Sequence, residues 1–355
     1  MEFTFFSKWE ELPKSAGELF EEKEEESIFF SKIWFQLLLK DNLNKNETLF
    51  LACVIKNEKV IALLPMIKNQ DSHLKSLRHL YTSLFTILIK KDPSQEIFDC
   101  LVGGLDSLSI KSIKIDPIDE SDENIKKLKK SLDFFGYISY QHFLFFNWVH
   151  LNKNRTFESY EKLMPSRLRN TIHRKYRKLK QEAKLEILIY SKHDIRKALE
   201  DYHYIHQRSW KAKELFKDFL NNMVFNFSEK NWLRVGVLYI NDKPAAAQIW
   251  TICHFKASIF KLVYDEKWKR YSPGSVLTSY MIRNMIETEK VKEIDFLYGN
   301  DSYKKDWMSH RRIRQSLYSA KLVSKNLFLR NFINFIKIYF NFYKIIIEKL
   351  TNLWR

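Results

Sequence analysis

Two aspartates in the last third of the chain could act as proton acceptors. Asp295 alternates with Ile294 and Phe296 in the short apolar run EIDFLYG, so its side chain points to one side of a predicted strand. A carboxylate there is either a general base with a raised pKa or the structural partner of an arginine or lysine. Asp301, in the following loop, is a second candidate base, although a helix N-cap is the simpler explanation for it.

A second group of residues has the chemistry to bind an acceptor that carries a sugar or a phosphate. The candidates are Arg208, Trp210, Lys211, Gln248, Tyr264 and Asp265. The tryptophan could stack on a sugar, the two cations beside it could hold a phosphate, and the pair at 264–265 could line the opposite wall. The glutamine lies in a strand of small apolar residues, where it could bind the acceptor or be a satisfied core amide.

Metal and disulfide chemistry have little support in the sequence. His173, His206 and His310 have no partners at the spacing of metal ligands, so we predict no metal. The cysteines are odd in number and widely spaced, at Cys53, Cys100 and Cys253. This pattern excludes a disulfide framework and a cysteine-based zinc cluster, and it suits a reducing compartment.

Charge is the strongest compositional signal in the 355 residues. The formal net charge is +17, while residues 1–30 carry nine acidic residues against three lysines, which leaves +23 for the rest of the chain. Such a field favours an anionic partner such as nucleic acid, an anionic bilayer or a phosphorylated ligand. With 45% apolar residues and only 7 Gly and 7 Pro, the chain is not of a disordered class.

The order of predicted elements gives an α+β class. A first half of short strands and helices ends near residue 150. The second half opens with helix 166–184, which has one apolar and one basic face; the basic face is either solvated or a binding surface. An antiparallel meander follows from Trp232, then a helix that begins at 272–274, and then the strand that contains Asp295.

Five sequence blocks, in this order and spacing, resemble one family. They are QRSWK (207–211), KPAAAQIW (243–250), KLVYDE (261–266), YSPGSVL (271–277) and IDFLYGNDSYKKDWMSHRRIR (294–314). Together they resemble the branch of the Gcn5-related N-acetyltransferase (GNAT) superfamily that includes cellulose-biosynthesis-type acetyltransferases and Fem-type peptidoglycan aminoacyltransferases. The resemblance covers about 165–315, and the LLPM strand of the first half resembles the degenerate duplicated half of such proteins.

This resemblance implies two tandem GNAT-like halves, each a mixed, mostly antiparallel sheet flanked by helices. We therefore expect a degenerate half at 1–150, an acyltransferase domain at 151–320 and a basic amphipathic helical tail at 321–355. The second half would bind the acyl donor between splayed central strands. The acceptor amine would then attack the donor directly in a ternary complex, without a covalent enzyme intermediate.

The resemblance also assigns roles to residues. Lys304 would stabilise developing negative charge, unless it is a solvated loop lysine, and Tyr303 would orient the donor or protonate the leaving thiolate, unless it plugs the core. The phosphates of the donor would lie at Lys269, Arg270, Ser272 and Gly274. This loop has a single glycine, and Pro273 removes an N–H donor, so acyl-coenzyme A, acyl carrier protein and aminoacyl-tRNA all remain possible donors.

The sequence of 325–350 predicts a helix that is apolar except for polar residues three or four apart. It would dock on the protein or on a second copy, or lie on an anionic membrane surface. Without a signal sequence or membrane span, we expect a cytoplasmic protein, with or without peripheral attachment to the inner membrane.

The favoured function is N-acyl transfer, with acetyl-coenzyme A as co-substrate, to an amine of a small-molecule or lipid-linked glycan acceptor in cell-envelope or exopolysaccharide synthesis. The alternatives are aminoacyl transfer from charged tRNA, with the basic helix face as the nucleic-acid surface, and a non-catalytic adaptor for membranes or nucleic acid.

Overall fold

The computed structural model describes residues 1–321, and strands and helices alternate along them. The strands are β1 (Glu2–Phe6), β2 (Glu47–Lys56), β3 (Lys59–Asn69), β4 (His73–Ser76), β5 (Leu88–Ile89), β6 (Ser112–Asp119), β7 (Tyr137–Leu151), β8 (Leu185–Tyr190), β9 (Leu233–Ile240), β10 (Lys243–Cys253), β11 (Lys256–Tyr264), β12 (Glu293–Tyr298) and β13 (His310–Lys321). The helices are α1 (Ala16–Glu24), α2 (Lys32–Asn42), α3 (Gln95–Ser107), α4 (Glu123–Phe134), α5 (Phe157–Leu163), α6 (Ser166–Glu182), α7 (Ile195–His206), α8 (Lys217–Glu229), α9 (Pro273–Glu287) and α10 (Lys304–Trp307). Short 3-10 helices cover Trp9–Glu11, Ile28–Phe30 and Glu266–Tyr271.

All thirteen strands belong to one sheet whose order reveals an internal repeat. The order is β1-β2-β3-β4-β6-β13-β7-β12-β11-β10-β9-β8, with β5 paired to β3. Strands β1 to β6 of the first half correspond to β8 to β12 of the second. Counted outward from the centre of the sheet, the first half reads β6, β4, β3, β2, β1 and the second reads β12, β11, β10, β9, β8. The sheet therefore consists of two similar halves related by a pseudo-twofold axis between β13 and β7.

The two central strands are exchanged between the halves. Strand β7 closes the first half in sequence but pairs with β12 of the second, while β13 closes the second half and pairs with β6 of the first. They also pair with each other along their lengths, from Tyr137 opposite Lys321 to Val149 opposite His310. Neither half therefore has a complete sheet without a strand from the other.

The hairpins on both sides of the centre use the same local chemistry. The β2–β3 turn has positive φ at Asn57 and Glu58, and the equivalent β9–β10 turn has it at Asn241 and Asp242. Two consecutive positive φ angles give the type I′ twist that lets neighbouring strands continue a right-handed sheet. Both hairpins therefore turn at polar residues in the left-handed conformation.

One helical layer joins the two halves. Helix α2 of the first half packs on α8 of the second, and Trp34, which is fully buried, lies edge-on to Phe219 at 5.5 Å. On the second half, α9 lies against β9, β10 and β11. Gly236 makes room for it, because a Cβ at that position would stand 2.4 Å from the sulfur of Met281. Burial of an aromatic side chain such as that of Trp34 contributes about 2–3 kcal/mol to the free energy of unfolding.

The predicted α+β class with two tandem halves is confirmed. Its division at 150 and 320 stays a prediction, to which the structure adds that β7 ends at Leu151 and that the halves share their central strands. The predicted helical tail at 321–355 lies outside the described residues, apart from Lys321 at the end of β13.

Candidate functional site

The central strands of the second half separate at their C-terminal ends. Strands β11 and β12 run parallel but pair only between Lys256–Ser258 and Glu293–Asp295. Beyond these residues, 259–264 of β11 have no strand partner on the β12 side within the part of the chain that the structure describes. This splay opens a wedge whose walls are strand backbone, and such a wedge can admit an extended ligand.

A cavity of about 350 Å³ lies at this splay. Its lining residues are Trp210, Lys211, Leu262, Tyr264, Gly274, Ser275, Thr278, Asp301, Tyr303 and Trp307. Six residues that the sequence predicts for donor, acceptor or catalytic roles thus lie around one space: Trp210, Lys211, Tyr264, Gly274, Asp301 and Tyr303.

One wall of the cavity is aromatic and packs on the start of helix α9. The rings of Trp210 and Tyr264 are 4.3 Å apart, and Trp210 is 48% exposed. A Cβ at position 274 would stand 3.2 Å from Cδ1 of Tyr264, so Gly274 lets this ring lie close to the helix. The N–H groups of Gly274 and Ser275 belong to the first helical turn, where no partner exists within the helix.

Titratable groups face the cavity from two loops. Desolvation raises the pKa of Tyr303 to about 12, and the Asp301 carboxylate adds to the effect, so the hydroxyl stays protonated at neutral pH. Tyr303 is 44% exposed, which excludes the core-plug interpretation. Lys211 is accessible to solvent but lies in a cleft; desolvation, reinforced by Lys261, lowers its pKa to about 8.

Lys304 lies directly behind this cavity and is buried. Its ammonium group donates hydrogen bonds to the carbonyl oxygens of Phe296 (2.9 Å) and Tyr298, and its Nζ is 3.6 Å from the carboxylate of Asp301. Burial lowers its pKa, and the carboxylates of Asp301 and Asp295 oppose that shift. The solvated-loop interpretation is therefore wrong, and the ammonium joins the end of β12 to the loop that carries Asp301.

Asp295 does not line the cavity. Its Oδ1 accepts hydrogen bonds from Nδ2 of Asn147 (2.5 Å) and from the backbone N–H of Leu297 (2.6 Å). Burial and the nearby Glu293 raise its pKa, while Arg314 opposes the shift. It faces a separate space of about 50 Å³, and its hydrogen bonds go to an amide side chain and a backbone N–H; its role as a general base stays a prediction.

Three predicted acceptor residues are engaged elsewhere. Gln248 is fully buried; its amide donates to Thr278 (2.7 Å) and to the carbonyl of Gly274, and it accepts from Trp250. Asp265 caps the 3-10 helix through the N–H of Lys267. Arg208 folds back over the ring of Tyr204 at 3.7 Å and donates to the carbonyl oxygen of that residue. These side chains support the fold of the site and do not contact the cavity.

The predicted phosphate loop is only partly present. Ser272 has the left-handed conformation (φ 50°) at the N-cap of α9, and Gly274 lines the cavity. Arg270 donates to the hydroxyl of Tyr271 (2.6 Å), which in turn donates to Glu182 on α6. Lys269 is exposed outside the cavity lining. Neither cation of the loop therefore lines the cavity.

The sequence interpretation missed Ser275 and Thr278, which line the cavity beside Gly274. The spacing of 274 and 278 places both residues on one helix face, and this was the available signal. Within residues 1–321, His, Cys, Asp and Glu form no group of three or more that could hold a metal ion. No helix among the described residues combines the length and apolar character needed to cross a membrane.

A family model described as an acetyltransferase (GNAT) domain matches residues 166–305, the segment that contains the splay and every lining residue of the cavity except Trp307. No curated protein matches the chain in sequence. The similarity to solved structures extends over most of the chain, at low identity.

Three solved structures illustrate this similarity. FemX has a TM-score of 0.62 at 8% identity, over 89% of this chain and 97% of its own. The C-terminal domain of a protein named as a lysylphosphatidylglycerol synthetase from Agrobacterium fabrum gives 0.52 at 10% identity, over 86% and 92%. A tandem GNAT protein from the clavulanic acid biosynthesis pathway gives 0.51 at 7% identity, over 91% and 100%. At such identities the comparison establishes the shared fold.

Proposed function

We propose that this chain, in which residues 166–305 match a model described as an acetyltransferase (GNAT) domain, transfers an acyl group, acetyl first among the candidates, from acyl-coenzyme A to an amine of a sugar or other cell-envelope precursor. The observation that carries the proposal is the cavity at the β11–β12 splay. It unites an open strand edge, a helix N-terminus and the polar side chains of Lys211, Asp301 and Tyr303.

The cavity fits one part of such a donor better than another. A volume of about 350 Å³ bounded by strand backbone and aromatic rings suits the narrow thioester arm. The N–H groups of Gly274 and Ser275 would face a phosphate, but Pro273 contributes none, and Arg270 is bonded to Tyr271. We therefore expect coenzyme A affinity to depend on the cavity more than on the two loop cations.

The donor supplies an activated thioester carbonyl, and the side chains around the cavity supply the proton transfers. Lys211 is partly neutral near pH 8 and can accept the proton of the acceptor amine, and Asp301 is a second possible base. Tyr303 keeps its proton to a pKa of about 12 and can donate it to the leaving sulfur. Lys304 positions Asp301 and the end of β12 rather than meeting the substrate itself.

The first test is calorimetric titration with coenzyme A and acetyl-coenzyme A at two salt concentrations. We expect saturable binding that persists at high salt, because a buried arm is less screened than surface charge. A Ser275→Trp variant, which places an indole in the cavity, should abolish binding, and the matched Ser275→Ala variant should retain it. Absence of binding in the unmodified protein, or loss of binding with salt, would rule out this donor.

A second candidate function is aminoacyl transfer from tRNA, and helix α6 is the observation that favours it. Its exposed cations are Arg167, Arg174, Arg177, Lys178 and Lys180, and α6 contacts the 3-10 helix Glu266–Tyr271, which precedes α9. A basic surface beside a donor site suits the phosphate backbone of a nucleic acid. If this second function is correct, coenzyme A and acetyl-coenzyme A do not bind in the calorimetric titrations. A charged tRNA then binds with an affinity that falls steeply as the salt concentration rises.

A further inference from the structure

A second cavity of about 270 Å³ opens beside the first. Its lining residues are Tyr81, His206, Lys211, Ala212, Lys213, Glu214, Leu215 and Lys261. Lys211 lines both cavities, so its side chain borders the two spaces. Two adjoining cavities separated by one side chain are the arrangement that a reaction between two ligands requires.

The floor of this second cavity is a hydrogen-bonded cluster of three side chains. Glu214 accepts hydrogen bonds from the hydroxyl of Tyr81 and from Lys261 (2.7 Å), and Lys261 also donates to Tyr81 (2.7 Å). Burial raises the pKa of Glu214, but these donors outweigh that effect, so the carboxylate stays ionised. The charge of Glu214 is thus already balanced by Lys261.

Tyr81 comes from the first half of the chain, and its surroundings keep it in place. Its ring packs against His79, Phe216 and Phe260, with centroids 5.0–6.0 Å apart, and the ammonium of Lys261 lies 4.0 Å from its centroid. The second cavity is therefore built by both halves, whereas every residue that lines the first cavity comes from the second half.

The remaining charge of the second cavity is positive. Lys211 and Lys213 have no ion-pair partner among residues 1–321, and Glu214 is the single carboxylate of the lining. An unpaired ammonium group on the lining of a cavity, such as that of Lys213, attracts an anion, and a phosphate offers it several oxygens.

We infer that the second cavity binds the acceptor, and that this acceptor is a primary amine bearing a phosphate or pyrophosphate group. Its phosphate would lie at Lys213, and its amine would face Lys211 and the first cavity. This inference rests on the proposed function, because it assigns the second substrate of the same reaction. In the transfer, the amine nitrogen bonds to the acyl carbon, the carbon–sulfur bond breaks, one amine proton passes to the base and the thiolate takes up a proton.

The required chemistry occurs both in nucleotide-linked amino sugars and in amine-bearing phospholipids. Two exposed leucines lie near the second cavity. Leu215, on the cavity lining, is 79% exposed, and Leu80, next to Tyr81 in sequence, is 63% exposed. The test therefore includes an amine-bearing phospholipid as a separate probe. Apolar side chains that flank lysines suit a lipid surface.

The test uses UDP-glucosamine as the free probe and phosphatidylethanolamine in phosphatidylcholine vesicles as the membrane probe. Ala212→Trp fills the second cavity, with Ala212→Ser as its matched control. Lys213→Glu reverses one charge of the lining, with Lys217→Glu as the control, since Lys217 is exposed and lines neither cavity. Coenzyme A affinity is measured for every variant.

We expect one of the two probes to bind saturably to the unmodified protein. Its binding should be abolished by Ala212→Trp, and its affinity should fall about tenfold in Lys213→Glu. Lys217→Glu, Ala212→Ser and all coenzyme A affinities should stay within twofold of the unmodified protein. If neither probe binds, or if a probe survives Ala212→Trp, the inference is overturned even though coenzyme A binding stands. A failure of coenzyme A binding alone would instead overturn the proposed donor.

Discussion

Replacing Lys304 with methionine separates two explanations of this residue. Methionine has a similar length and keeps the site filled, but it removes the three contacts of the ammonium group with the carbonyls of Phe296 and Tyr298 and with Asp301. If Lys304 acts only on the transition state, the variant loses turnover and keeps its stability. If it positions the end of β12, stability and turnover fall together.

The structure allows the size of the effect to be estimated. Each hydrogen bond from the ammonium to a buried carbonyl contributes about 1.5–3 kcal/mol, and its loss leaves the carbonyl unpaired. The variant also no longer has to remove the Lys304 charge from water on folding, and this offsets part of the lost stability. We therefore expect the free energy of unfolding to fall by about 2 kcal/mol.

The assay pairs thermal unfolding with coenzyme A titration for Lys304→Met and for Lys305→Met. Lys305 is the next residue in the same short helix and is exposed, so its replacement should leave the melting temperature and the affinity unchanged. We expect Lys304→Met to melt several degrees lower. If Lys304→Met has the same melting temperature as the unmodified protein, the positioning role is refuted. The result would then favour direct stabilisation of developing negative charge by Lys304.

Three further predictions concern pH, stability and the donor loop. The pKa of Lys211 is lowered to about 8, so its basic form grows as pH rises through that value; kcat/KM should increase from pH 7 to 9, and this limb of the profile should be absent in Lys211→Met. Arg314 is buried and bonded to Ser83, Asp119 and Asn147, so Arg314→Met should lower the unfolding free energy by about 3–5 kcal/mol, read by thermal melting. The double variant Lys269→Ala/Arg270→Ala should weaken coenzyme A binding less than threefold by calorimetry, and complete loss would show that the loop cations reach the ligand.

Local patterns were sufficient to predict the strands, the hairpin turns and the approximate position of the site. The short apolar runs in KPAAAQIW and KLVYDE indicate β10 and β11, and Asn241-Asp242 indicates the turn before β10, because these signals depend on neighbouring residues alone. Trp210, Tyr264 and Tyr303 were found for the same reason: they lie in motifs close to strand or helix ends.

The state of each polar side chain could not be predicted, because partners distant in sequence decide it. Asp295 is held by Asn147, 148 residues away, and Gln248 by Thr278, 30 residues away. The alternation of the strand placed the Asp295 side chain on one side of the sheet, but it could not show which residues stand opposite. Tyr81 escaped attention because its cluster with Glu214 spans 133 residues and both halves of the chain.

The exchange of β7 and β13 also sets an order of events during synthesis. When residue 151 leaves the ribosome, the first half has made β6 and β7, but the strand that must lie between them is the last of those described. At ordinary elongation rates of about 5–20 residues per second, β13 follows roughly 10–30 s later. For that interval the aromatic strand YISYQHFLFFNWVHL has an open edge, which is the kind of surface that pairs with other nascent chains. The same strand arrangement that joins the two halves in the finished protein thus makes the growing chain dependent on protection until β13 is made.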